Sequence, residues 1–281
     1  MRIIVTGASG KLGRTVAREL QSNGHEVVRL DRVGERAPGF IRVDLADYGD
    51  VVDVFDGIGE GGTIDGLVHL GAIPAPGLAS EVATFHNNMT STFNVFQAAR
   101  RLGIMNIVYA SSETVLGLPF DTPPPYLPVD EEYAARPESM YSLVKHLEEQ
   151  LAIELVRWHP GMSITALRFS NVMDPEDYAE FPSFDADARL RKWNLWSYID
   201  GRDAAQAVEL ALSHPPGQGF ERYIIAAADT VTSRPNAELV AEVFPDVPIR
   251  RDLGTNDTLL SIDRARRLLG YDPRHSWRDG V

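Results

Sequence analysis

Cysteine is absent from the 281 residues, which excludes disulfides, thiol nucleophiles and cysteine-ligated zinc. No apolar run approaches the ~20 residues of a membrane-spanning helix. The first strand-like run starts at residue 2 and leaves no room for a secretion signal, so the cytoplasm is the expected compartment. Positive charge is in short supply: 27 Lys and Arg face 40 Asp and Glu, a net charge of −13. That balance argues against nucleic acid and anionic membranes as main partners, though not against an anionic small molecule held by local arginines. The chain has no linker, no repeat and no HExxH, and its seven histidines are scattered, so no metal site is expected. Hydrophobic content of 44% and charged content of 24% are ordinary for a soluble globular chain.

What is present begins at the N-terminus. Ile3, Ile4 and Val5 form a short apolar run, as in a strand buried on both faces. A glycine-rich turn with Gly7, Gly10 and Gly13 follows, then an amphipathic helix with Leu12, Val16, Ala17 and Leu20 on one side, ending near Asn23-Gly24. Such a turn lets backbone approach a pyrophosphate, and the helix start offers unpaired N–H groups to it. Ser9, Lys11 and Leu12 lie in the same turn. EVVRL at 26–30 reads as a second strand, and Asp31 ends it, 18 residues past Gly13. An acid at that distance suits adenosine ribose hydroxyls and repels a 2′-phosphate, which favours NAD; Arg32 beside it keeps NADP open.

Further strands are expected at 40–43, 65–70 and 104–110, with helices over 46–55 and 80–102 and a glycine-rich loop at 57–62. Alternating strands and helices predict an α/β fold, a Rossmann-type doubly wound parallel sheet with ligands at the C-terminal strand ends. Gly7, Asp31, Gly71 and Ser112 fall at such ends. A helix from about 138 to 158 carries Tyr141 and Lys145, four apart and therefore on one face. A phenol is a poor base at neutral pH. An ammonium within ~4–6 Å and a positive nicotinamide ring favour the phenolate. A strand-end serine opposite orients the substrate oxygen, so a proton moves with a hydride.

With these residues in hand, the chain resembles the extended short-chain dehydrogenase/reductase superfamily, in its NAD-dependent epimerase/dehydratase branch. TGASGKLG at 6–13 is similar to the family's TGxxGxxG, Asp31 to its ribose acid, and Asp44-Leu45 to the pair beside adenine. His69-Leu70-Gly71-Ala72 resembles HLAA, and NMTST from Asn88 resembles NxxGT. SSETVLG at 111–117 resembles SSxxVYG, with Leu116 in place of tyrosine; LRFSNV at 167–172 resembles LRxxNV. YIDGRDAAQAV at 198–208 and LLGYDP at 268–273 resemble later segments of the family. The resemblance implies Ser112, Tyr141 and Lys145 as catalytic residues. It implies cofactor contacts at Leu70, Gly71, Ala72 and Asn88 as well as in the glycine turn, and substrate contacts at Ser111, Ser112, Glu113 and Asn171. It also implies a homodimer through the two long helices.

Only 26 residues separate Asn171 from Tyr198. That is short for a nucleotide-sugar epimerase and similar to the uronate dehydrogenases of the same superfamily. Arg189, Arg191 and Lys192 fall in this lid, either as carboxylate ligands, Arg191 above all, or as a solvated basic turn. Against that analogy, Glu113 repels a carboxylate unless it points away. Phe181, Phe184, Trp193 and Trp196 are either contacts for a sugar ring or core under a loop. Residues 1–170 are expected to form the cofactor domain, and 171–281 a small substrate lobe interleaved with the end of the sheet. Three functions are weighed: a dehydrogenase of a sugar or sugar acid, a nucleotide-sugar epimerase or dehydratase that retains its cofactor, and a non-enzymatic NAD(P)-sensing regulator.

Overall fold

Ile3 and Val5 face one side of a sheet and Ile4 the other, and all three are fully buried in the computed structural model, which describes residues 1–215, 217 and 219–280. That is the signature of a strand covered on both faces. The elements in chain order are β1 (Arg2–Thr6), α1 (Lys11–Ser22), β2 (Glu26–Asp31), β3 (Phe40–Arg42), α2 (Tyr48–Glu60), β4 (Gly66–His69) and α3 (Glu81–Arg101). β5 (Asn106–Ser112), α4 (Met140–Trp158), β6 (Ser163–Phe169), β7 (Val172–Met173), β8 (Ile199–Asp200) and α5 (Gly201–Ser213) follow. The last are β9 (Gly219–Ile225), α6 (Asn236–Val243) and α7 (Asp263–Leu269). Seven strands pair in parallel in the order β3-β2-β1-β4-β5-β6-β9. The order reverses direction beside β1, so a crevice opens between the ends of β1 and β4.

Helices α1 and α5 pack on one face of this sheet, and α2, α3 and α4 on the other. Four helix starts carry the caps that their sequence supplies, among them Asp200, which accepts from the Arg202 amide at α5. Asp47 accepts from the Asp50 amide at α2, Ser80 from Ala83 at α3, and Ser139 from Ser142 at α4. Each cap satisfies an otherwise orphaned N–H. The Ser139 cap sets the start of α4 at Met140 rather than at 138. Helix α2 runs through Gly57 and Gly59, which the sequence reading assigns to a loop; Phe55 and Ile58 are buried and hold that last turn on the sheet. Strand β6 escapes the sequence reading because Ser163, Thr165 and Arg168 interrupt its apolar pattern. All of its residues are nevertheless buried.

The lobe over the strand ends is built from short 3-10 turns at Pro175–Ala186 and Ala188–Asn194, the β7–β8 pair, and the segments after β9. Helix α5 and strand β9, both beyond residue 170, belong to the sheet layers. An aromatic cluster holds the lobe: Phe181 lies edge-on to Tyr198 at 5.1 Å and to Trp277 at 5.7 Å, and Trp196 to Phe244 at 6.0 Å. Phe181 and Trp196 are fully buried core residues, and Phe184 packs beside Phe181. Among the described residues no helix is long and apolar enough to cross a membrane.

Candidate active site

The glycine turn is shaped by two close approaches. Gly7 has φ +67°, and a Cβ on it would lie 2.6 Å from the Gly71 amide nitrogen. A Cβ on Gly13 would lie 2.0 Å from the Gly7 carbonyl oxygen. The turn is thereby pressed against both its own helix and the end of β4. Asp31 locks it from the other side: its carboxylate accepts from the Ser9 amide at 2.9 Å and the Val33 amide at 3.2 Å.

A cavity of about 770 Å³ runs from this turn across the strand ends to the lobe. Gly7, Ser9, Gly10, Lys11, Leu12 and Gly13 line its first end, with Asp31, Arg32, Asp44 and Leu45 beside them. Leu70, Gly71 and Ala72 line the middle. Ser111, Ser112, Glu113, Tyr141, Lys145 and Asn171 line the far end, joined by Thr114, Phe169 and Trp193. The backbone cradle that only glycine permits, the acid at the end of β2 and the paired Tyr141 and Lys145 fit a dinucleotide such as NAD.

Two residues expected on the wall stand behind it. Asn88 is buried under the loop after β4, where its side chain accepts from the Ile73 amide at 2.7 Å and donates to the Ile73 carbonyl at 3.0 Å. It shapes the cavity wall through Ile73. Arg191 is also off the wall: its guanidinium lies 4.9 Å from the Trp193 ring centre and 5.1 Å from that of Phe184, and donates to the Ser197 carbonyl at 2.9 Å. The Arg191 guanidinium is thus held inside the lid by aromatic faces and a buried carbonyl. Lys192 pairs with Asp121 at 2.8 Å. Ser111 lines the cavity, but its hydroxyl donates to Glu149 at 2.7 Å, and Glu149 also takes two hydrogen bonds from Arg168.

At the far end Tyr141 and Lys145 stand one helical turn apart on the buried face of α4. Burial raises the Tyr141 pKa above its ordinary value, while the Lys145 ammonium and a hydrogen bond with Ser112 pull it back down. Ser112 is held by Thr114, whose amide and hydroxyl both donate to its Oγ, at 3.1 and 3.0 Å. The Ser112 proton is therefore free for the phenol or for a substrate oxygen. Lys145 donates to the Ala110 carbonyl and to Glu148, each at 2.8 Å. Two of its three N–H bonds are committed, which leaves one for a ligand.

Glu148 links this centre to a buried relay. It accepts from the Thr92 hydroxyl at 2.8 Å; Thr92 meets His69 Nε2 at 3.0 Å, and His69 Nδ1 meets Thr6 at 2.7 Å. Burial, with Lys145 nearby, lowers the His69 pKa to about 3, so the ring is neutral. Because the Thr92 proton goes to Glu148, Nε2 carries the ring hydrogen and Nδ1 accepts from Thr6. Glu148 and Thr92 escape sequence reasoning because they meet only where α3 packs on α4, and Thr114 because it turns onto Ser112 only in the 3-10 turn after β5. The signal available was the run of two glutamates one to two turns beyond Tyr141 and Lys145 on the same helix.

Residues 3–226 match the NAD dependent epimerase/dehydratase family. The chain is 30% identical over 183 residues to the UDP-glucose 4-epimerase of Bacillus subtilis, a match spanning 61% of this chain and only about half, 52%, of that protein. It is 29% identical over 220 residues to the uronate dehydrogenase of Pseudomonas syringae, covering 76% of this chain and 70% of that one. A crystal structure of a short-chain dehydrogenase/reductase superfamily protein from Agrobacterium tumefaciens with bound NAD superposes with a TM-score of 0.74 at 25% identity, over 99% of this chain and 94% of the other. The glycine turn, Asp31 and the Ser112, Tyr141 and Lys145 constellation thus sit in a chain that belongs to the NAD dependent epimerase/dehydratase family, within the extended short-chain dehydrogenases/reductases.

Proposed function

We propose that this chain is an NAD-dependent oxidoreductase acting on a hydroxyl of a sugar or sugar acid, in the manner of a uronate or aldose dehydrogenase. One juxtaposition carries the reading: Ser112, Tyr141 and Lys145 meet at one end of a cavity whose other end is the glycine turn. When bound against the glycine turn and Lys145, NAD supplies the hydride acceptor. Ser112 donates to and orients the substrate oxygen. Tyr141, as phenolate, takes the hydroxyl proton while the carbon gives up its hydride, and a carbonyl results. Lys145 holds the cofactor ribose with its third N–H and favours the phenolate by its charge. Asn171 hydrogen-bonds the substrate, and Asp31 accepts from the adenosine ribose.

Replacing Tyr141 by Phe tests this directly. Turnover is expected to fall by about 10²–10⁴-fold, the usual worth of a positioned acid–base group, with NAD affinity retained. Full activity in that variant would refute the assignment. The likeness to UDP-glucose 4-epimerase favours a second reading, in which the hydride returns to the substrate. NADH absorbance separates the two, since a dehydrogenase accumulates NADH and an epimerase forms product without it. We further propose a homodimer through α3 and α4, supported by the exposed Val82 and Phe93 and the half-buried Leu143 and Leu147 on their outer faces.

A further inference from the structure

Glu113 follows the catalytic serine and is only 2% exposed, yet it lines the cavity. Its carboxyl stands where three segments meet. Ser170, at the end of β6, donates to it at 2.6 Å, and Asn194 of the lid donates at 3.3 Å. The Asn171 amide also faces it. A carboxylate offers about four acceptor sites, so one remains for the cavity. Burial pushes this carboxyl up to about 7.

The cations near the cavity complete the picture. Lys145 is paired with Glu148, Lys11 with Asp177, and Arg191 stands behind Trp193, from where its charge still acts on Glu113. Arg32 lines the opposite end, beside the ribose acid. Among the described residues no unpaired cation lines the reacting end. A carboxylate arriving there finds no guanidinium fork to receive it and, once Glu113 is ionised above about pH 7, meets a second negative charge. A hydroxyl finds acceptors and donors at Glu113, Ser112 and Asn171, with the Trp193 ring beside them.

Resting on the sugar-oxidoreductase reading, we propose that Glu113 is a specificity residue that accepts a hydroxyl neighbouring the reacting one. On this proposal the substrate is a neutral, hydroxyl-rich sugar, and sugar acids are excluded. Discrimination of this kind comes from a repulsive element as much as from an attractive one.

The test measures NADH formation at about pH 8.5, where Glu113 is ionised, by wild type, Glu113→Gln and Tyr141→Phe on matched substrates: D-galactose with D-galacturonate, D-glucose with D-glucuronate, and L-arabinose. Titration of sugars against the NAD-loaded protein gives binding independently of turnover. Wild type is expected to favour the neutral sugar by about tenfold or more in kcat/KM. Glu113→Gln, which keeps the size of the side chain, is expected to narrow that ratio by about tenfold. Unchanged NAD affinity in Glu113→Gln reports an intact fold. A purely structural role for Glu113 lowers both activities together and leaves the ratio alone, which overturns the proposal. Preference of the wild type for uronates overturns the proposal while the oxidoreductase reading stands. Neither binding nor turnover of any of these sugars overturns both.

Discussion

Glu148 sits fully buried beside the Lys145 ammonium, and its negative charge opposes the effect of that lysine on Tyr141. The carboxylate raises the phenol pKa, and the ammonium lowers it. Removing the charge while keeping the shape, as in Glu148→Gln, shifts the local balance toward positive potential, and the Tyr141 pKa falls. A base must be deprotonated to work, so the acid limb of the kcat profile is expected to move to lower pH. Profiles of kcat against pH for wild type and variant check this; an unmoved or upward-shifted limb speaks against it. The same residue shows where reading the chain alone stops. The Tyr141 and Lys145 spacing is visible because both belong to one helix, whereas the burial of Glu148 on that helix depends on Thr92, 56 positions away, which donates to it.

At the scale of elements, the junction of β1, the glycine turn and α1 has no spare room. Gly13→Ala places a methyl 2.0 Å from the Gly7 carbonyl oxygen, which is backbone and cannot step aside. The variant is expected to lose NAD binding by about 100-fold or more and to melt lower, with a stability cost of about 1–3 kcal/mol from overpacking. Calorimetric titration with NAD and thermal unfolding measure the two effects; near-normal affinity would show that the turn does not cradle the cofactor. This junction was legible in advance because a turn between a strand and a helix is local, and glycine spacing encodes it. Strand β6 was not legible, because its Arg168 becomes tolerable in the core only when Glu149 from α4 neutralises it at 2.7 Å.

For the whole molecule, α3 and α4 turn a row of apolar side chains outward: Val82 is 67% exposed and Phe93 46%. Pairing of two copies through this face predicts a dimer in light scattering, and Phe93→Glu is expected to convert it to a monomer by burying a charge at the interface. A wild type that runs as a monomer at all concentrations removes the dimer.

The alternation of strands and helices up to α4, the glycine turn, and the Tyr141 and Lys145 spacing follow from the chain alone, since each depends on neighbours in sequence or on a fixed helical or strand period. Which charges reach the substrate does not. Arg191 is drawn behind Trp193, Asn88 under Ile73, and Glu113 onto Ser170 and Asn194, 57 and 81 positions away. Those pairings exist only after the sheet and the lid have closed around one cavity, because a buried charge takes whichever partner the packing brings within reach.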